Sequence, residues 1–265
     1  MAMETNNLKD AADRLRLRAV RMIAPHGFGY LGQALSSAEQ FAVLFSEYYR
    51  PDVDDLVVSP GHYIIAAFAG GVDAGLIDED LLATYGHDDS TLEAIGTERS
   101  PVVDLVCGSL GTGLSGGVGF ALSNALSGRD ARTFVVISDG ELEEGQLWEA
   151  ALFASHNRLG SVVVLLDAND SQVDGPVSSI TTIEPIAQKF ESFGWAAFDI
   201  DGHDVDAVST ALSHAIEDPR PAVIIARTST VTGLSVLPED ADGHFIKLPP
   251  ALAERAIDEL ESRLA

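Results

Sequence analysis

The sequence predicts an α/β fold, a parallel β-sheet with helices on both faces, on three observations. Four apolar, strand-like runs fall at 133–138, 162–168, 196–200 and 222–228. Helix-patterned segments at 144–158, 185–193 and 204–217 separate them, and such alternation marks strand–helix–strand units feeding a parallel sheet. The 265 residues, 46% of them hydrophobic, can bury one large core and show no internal repeat or low-complexity linker.

Taken in order, the chain opens with "MAMETNNLKDAADRLRLRAV", where alternating charges and the lack of an apolar h-region predict a surface helix over 8–24 rather than a signal peptide. Helical spacing recurs over 36–49, and apolar density rises near 63–76 without a readable strand. "GSLGTGLSGGVGFAL" (108–122) places closely spaced glycines ahead of a helix. "TFVVIS" (133–138) and "VVVLLDA" (162–168) are short, β-branched and continuous, as fully buried strands are. "AAFDI" (196–200) and "AVIIART" (222–228) complete the sheet, and "ALAERAIDELESRLA" from 251 is an amphipathic closing helix.

Composition narrows the function classes. With 41 acids against 16 bases the net charge is −25, which repels nucleic acid and anionic membrane surfaces. No apolar stretch approaches the ~20 residues of a membrane span. The single Cys107 reads as a small core residue and fits a reducing compartment, so a cytoplasmic location is the default expectation.

The chemistry concentrates where strands end. "SDGELEEGQLWEA" (138–150) puts Asp139 directly after an apolar run, and the next strand ends at Asn169. A strand–helix–strand unit of about 30 residues sets such strands side by side, and ligands gather outside the carboxyl ends of parallel strands. A carboxylate, an amide oxygen and a backbone carbonyl suit Mg²⁺ carrying a phosphate. Asp139-Gly140 alone reads equally as strand-to-turn punctuation. The glycines of 108–116 would let backbone N–H groups meet an anion at a helix start. A rival lies in the same loop: "GTGLSG" (111–116) fits G-x-G-x-x-G, with Asp139 about 20 residues further on, as in an NAD-binding oxidoreductase.

These residues also carry a resemblance. "SDGELEEGQLWEAALFASHNRLGSVVVLLDANDSQVDG" (138–175) resembles the thiamine diphosphate motif of transketolases, and likeness continues through "LSSAE" (35–39), "SPGHY" (59–63), "DGHD" (201–204) and "TGLSVLPEDADGHF" (232–245). It implies residues 1–265 as a single diphosphate-binding domain of the thiamine diphosphate-binding fold. By that resemblance Asp139, Asn169 and the main-chain carbonyl of Ser171 hold Mg²⁺, or Ca²⁺ or Mn²⁺ in its place. Gly140 gives its N–H to the diphosphate, Glu141 joins the cofactor contacts, Gly108 and Leu110 line the site, and His62 and His244 face cofactor and substrate. Without the resemblance each histidine is ambiguous, His203 being equally a turn former; His26, His87, His156 and His214 read as structural or solvated.

Three departures shape the expectation. Tyr30, in "FGYLG" (28–32), stands where the family has a substrate-side histidine, and "IGTERSP" (95–101) holds none where another is usual. Both point to an altered donor or acceptor. The residues after 228 leave no room for the family's pyrimidine-binding and C-terminal domains. The resemblance therefore implies one half of a split transketolase. A partner chain would supply the activating glutamate, in an α2β2 assembly transferring a two-carbon glycolaldehyde unit from a ketose to a carbonyl acceptor. The alternatives are the NAD reading and the α subunit of a thiamine-dependent 2-oxo acid dehydrogenase.

Overall fold

A computed structural model describes residues 5–238, 241 and 243–265. Residues 1–4, and Glu239, Asp240 and Asp242 of the late motif, lie outside the described residues. The chain begins with helix α1 (Thr5–Ile23), a two-residue strand β1 (Phe28–Gly29) and two short helices, α2 (Leu31–Ser36) and α3 (Ala38–Val43). Strand β2 (Asp55–Val58), α4 (Ile64–Gly71), β3 (Leu105–Val106) and α5 (Gly113–Ser127) follow. Then come β4 (Thr133–Ser138), α6 (Gly145–His156), β5 (Val162–Ala168), α7 (Val177–Ile180), α8 (Ile186–Ser192) and β6 (Ala196–Asp201). The chain closes with α9 (Val205–Glu217), β7 (Ala222–Arg227), β8 (Ile246–Lys247) and α10 (Pro250–Leu264).

Six strands form one parallel sheet in the order β3-β2-β4-β5-β7-β6, and β1 pairs antiparallel with β8 as a separate ribbon. Every strand of the parallel sheet points its carboxyl end the same way. Side chains alternate across it. Phe134, Val136, Val163, Leu165 and Ile224 face a core shared with α1, α3, α4, α9 and α10, while Val135, Ile137, Val164, Leu166 and Ile225 face α5, α6 and α8. Both faces are covered, which is why these strands read as unbroken apolar runs. Among the described residues no helix is long and apolar enough to cross a membrane.

The four expected strands form within a residue of their predicted ends. Strands β2 and β3 went unread: four and two residues long, they are too short to show a period, and β2 buries an acid, Asp55. The single helix expected over 36–49 is broken at Ser37. The Ser37 hydroxyl donates to Gln33 O at 2.5 Å, competing with the backbone ladder there.

The glycine run needs a larger correction. Helix α5 starts at Gly113, so several of its glycines lie inside the helix rather than ahead of it. A Cβ at Gly113 would meet Ser59 at 2.5 Å, and one at Gly117 would meet Val135 at 2.5 Å. Here glycine lets a helix press against the sheet. The loop ahead of the helix does meet an anion, but the protein supplies it: the Glu141 carboxylate accepts from Gly111 N at 2.6 Å, while Ser59 Oγ accepts from Gly113 N in the first turn at 3.1 Å.

Gly113→Ala should therefore cost about 1–3 kcal/mol of stability through overpacking against Ser59. Chemical denaturation measures it, and an unchanged midpoint contradicts this account of the contact.

Candidate functional site

The site forms where β4 and β5 end. The two strands pair in parallel with Ser138 opposite Asp167, so the first residues past the strand ends are Asp139 on one side and, after Ala168, Asn169 on the other. Asp139 Oδ1 accepts from Gly140 N at 2.9 Å and Oδ2 from Asp170 N at 2.6 Å. Asn169 Oδ1 accepts from Ser171 N at 2.9 Å. Two consecutive amides, Asp170 N and Ser171 N, thus serve the two side chains. The turn depends on Asp170, whose φ of 56° is left-handed, a conformation Asp tolerates. Its carboxylate anchors the loop by accepting from Ser178 N and Ser178 Oγ at 2.7 and 2.8 Å.

Asp139 is only 3% exposed, and no lysine or arginine pairs with it among the described residues. Burial, reinforced by the charge of Asp167, pushes its carboxyl up to about 7. Asp167 is fully buried and accepts from Ser36 Oγ at 2.5 Å, Tyr63 OH at 2.8 Å, Asn169 Nδ2 at 2.7 Å and Thr228 Oγ1 at 2.5 Å. By taking the Asn169 amide nitrogen it turns the Asn169 oxygen toward Ser171. Neither Asp167 nor Tyr63 was singled out from the sequence. An acid inside the apolar run "VVVLLDA" was the available signal.

A second cluster gathers from far apart in the chain. Tyr30 precedes α2, His62 follows β2, and His244 precedes β8. Ring centroids lie 5.1 Å apart for Tyr30 and His62, 5.8 Å for Tyr30 and His244, and 5.0 Å for His62 and His244. The approach depends on glycine, since a Cβ on Gly32 would run into the main-chain oxygen of Gly243. Burial, with His244 adding to it, lowers the His62 pKa to about 3, so the ring is neutral at ordinary pH. The segment 59–62 also binds the lining loops: Gly61 N donates to Cys107 O at 2.8 Å, and Gly96 N donates to Gly61 O at 3.0 Å. That places Gly108, Leu110 and the loop 95–101 around the same strand ends. A Cβ at Gly108 would meet nothing within 4 Å, and Leu110 is 40% exposed.

Two further residues of the motifs, Glu141 and His203, brace the loops around the site. The Glu141 carboxylate is enclosed, accepting from Ser59 Oγ at 2.5 Å, Gly111 N at 2.6 Å and Ser138 N at 3.1 Å. Its side chain is buried and braces the glycine loop. Gly111 N of the G-x-G-x-x-G loop thus already has an internal carboxylate as its partner. His203 braces as well as turns: its Nε2 accepts from Ser229 N at 2.9 Å and its Nδ1 lies 3.2 Å from Glu39 Oε2. Among the described residues no group of three or more His, Cys, Asp or Glu side chains gathers as a metal cluster. A metal here would rest on mixed oxygen donors.

Comparison with known proteins gives the family and the fold. The family described as "Transketolase, thiamine diphosphate binding domain" matches residues 7–264. A transketolase family protein of Sinorhizobium fredii is 40% identical, covering 95% of this chain and 95% of its own. A 6-deoxy-6-sulfo-D-fructose transketolase subunit of a Clostridium species is 32% identical over 98% of both. The crystal structure of transketolase from Campylobacter jejuni superposes with a TM-score of 0.88 at 24% identity, covering 98% of this chain and 43% of that one. This last likeness concerns the fold alone.

The lowered His62 pKa has a measurable consequence. An unfolded histidine takes up a proton below about 6.5 while the folded one stays neutral until about 3, so the stability this contributes is intact above pH 6.5 and falls away as the pH drops toward 3. NMR of the folded chain should show no His62 titration between pH 5 and 8; a midpoint inside that range contradicts the burial account.

Proposed function

The chain belongs to the transketolase family, and on that premise we propose that it is the cofactor-anchoring subunit of a two-component transketolase. The observation that carries this reading is the pair of strand-tip oxygens, on Asp139 and Asn169, served by the consecutive amides of Asp170 and Ser171. The donor set fits the group. A buried carboxylate without a cationic side chain beside it is costly, and a divalent cation offsets that cost. Asp139, the Asn169 amide oxygen and the Ser171 main-chain carbonyl would hold the metal, Mg²⁺ or in its place Ca²⁺ or Mn²⁺. Gly140 would give its N–H to the diphosphate, with Gly108 and Leu110 lining the cofactor and His62 and His244 facing cofactor and substrate.

Thiamine diphosphate, when bound, supplies the carbon nucleophile that carries a two-carbon glycolaldehyde unit from a ketose donor to a carbonyl acceptor. The chain's own residues orient and bind. His62, held neutral, can accept or donate a hydrogen bond beside a reacting carbonyl without adding charge. Asp167 fixes the Asn169 amide, and Tyr30 offers a phenol hydroxyl where the family has an imidazole. That replacement, with the histidine-free loop 95–101, supports a donor or acceptor other than the ordinary pentose phosphates, in specialised metabolism. The relative named for a sulfonated ketose is consistent with such latitude.

The chain spans 43% of the Campylobacter transketolase, and a relative of matching length is named as a subunit. On this reading residues 1–265 are a single diphosphate-binding domain, and a separate C-terminal-type chain brings the activating glutamate and any arginines for a substrate phosphate. The assembly is α2β2 and cytoplasmic, without nucleic-acid or membrane partners. Membership of the transketolase family replaces the 2-oxo acid dehydrogenase alternative.

Co-expression with a chain carrying the missing domain, then calorimetry with Mg²⁺ and thiamine diphosphate, tests the site. Asp139→Ala or Asn169→Ala should weaken cofactor binding on the order of 10–100-fold or more; unchanged affinity in both removes the metal assignment. Tyr30→His should raise turnover of pentose-phosphate donors in the same complex. Identical donor specificity before and after would show that Tyr30 does not set it.

A further inference from the structure

His244 sits on the loop leading into β8, and Gln33, on α2, reaches it from the opposite end of the sequence. Gln33 is 1% exposed. Its Nε2 lies 3.1 Å from the His244 main-chain oxygen and 3.3 Å from His244 Nδ1. A carbonyl oxygen only accepts, so the amide group facing it is the NH₂ and not the oxygen. An NH₂ offers no lone pair, so the Nδ1 beside it acts as an acceptor. An imidazole whose Nδ1 accepts is neutral and carries its proton on Nε2. Reversing the amide would set Gln33 Oε1 against the His244 carbonyl oxygen, two acceptors face to face. In the observed orientation Oε1 is buried without a partner among the described residues, a cost the structure bears to keep the NH₂ on His244.

We infer that Gln33 is a positioning residue that fixes His244 as the neutral, Nε2-protonated tautomer within the cluster it forms with Tyr30 and His62. The opposite tautomer would turn the same ring edge into an acceptor and repel an anionic oxygen. A neutral donor also adds no positive charge beside a bound metal. The tautomer follows from protein atoms alone; its use toward a diphosphate oxygen or a substrate hydroxyl rests on the thiamine diphosphate reading.

The test is long-range proton–nitrogen NMR on the full chain labelled with ¹⁵N-histidine, with His244 assigned by its loss in His244→Gln. Wild type should show His244 protonated at Nε2 only. Gln33→Leu should give a mixture of tautomers, and Gln33→Glu, which puts an acceptor beside Nδ1, should move a proton onto Nδ1, with His62 resonances unshifted in both. Wild type protonated at Nδ1 overturns the assignment whether or not the variants fold. A folded Gln33→Leu that keeps pure Nε2 protonation overturns the role of Gln33. Calorimetry with Mg²⁺ and thiamine diphosphate on the partnered complex separates the two readings. Gln33→Leu should bind about tenfold more weakly, as one lost hydrogen bond to a charged group implies. A changed tautomer with unchanged affinity overturns the donor's use toward the cofactor. Wild type that fails to bind overturns the cofactor reading and leaves the tautomer result standing.

Discussion

One fully buried carboxylate, that of Asp167, constrains the rest of the site. It has no cationic partner among the described residues and is stabilised by four donors: Ser36 and Tyr63 from the first third of the chain, Asn169 beside it and Thr228 at the end of β7. Burial raises its pKa and the four donors oppose that, so each donor must stay in place for the group to be tolerated. Satisfying this one group ties α2, the start of α4, the tip of β5 and the tip of β7 to a common point. The same hydrogen bonds orient the Asn169 amide. Stability and ligand geometry therefore share one network.

The acids of 138–150 divide into two kinds of work, which their proximity in sequence conceals. Asp139 stays at the strand tip with backbone amides as its partners, whereas Glu141, two residues on, turns inward and braces the loop just ahead of α5. A helix start attracts negative charge from whichever source is nearest, and here the source is covalently attached. A G-x-G-x-x-G pattern can thus arise from packing and from an internal carboxylate, with no nucleotide involved.

The sheet was legible because burial on both faces writes continuous apolar runs, and Asp139 and Asn169 were legible because parallel pairing fixes where neighbouring strand ends fall. The short strands β2 and β3 were not, since two to four residues carry no period. Resemblance supplied His62, His244 and Tyr30; their contact distances follow from a glycine-on-glycine approach between Gly32 and Gly243 that no local pattern encodes. Gln33 and Tyr63 were invisible for the same reason, because their partners lie more than 100 residues away.

The ribbon that joins β1 to β8 pairs Phe28 with Lys247, and its two strands flank the residues that bring Tyr30 and His244 together. Loop closure over so long a separation is slow and comes late. During synthesis the parallel sheet can therefore assemble while the ring cluster is still in two pieces, one of them yet to leave the ribosome. A nascent chain holding Asp139 and Asn169 has no completed pocket, so ligand capture is deferred until residues 244–247 have been added.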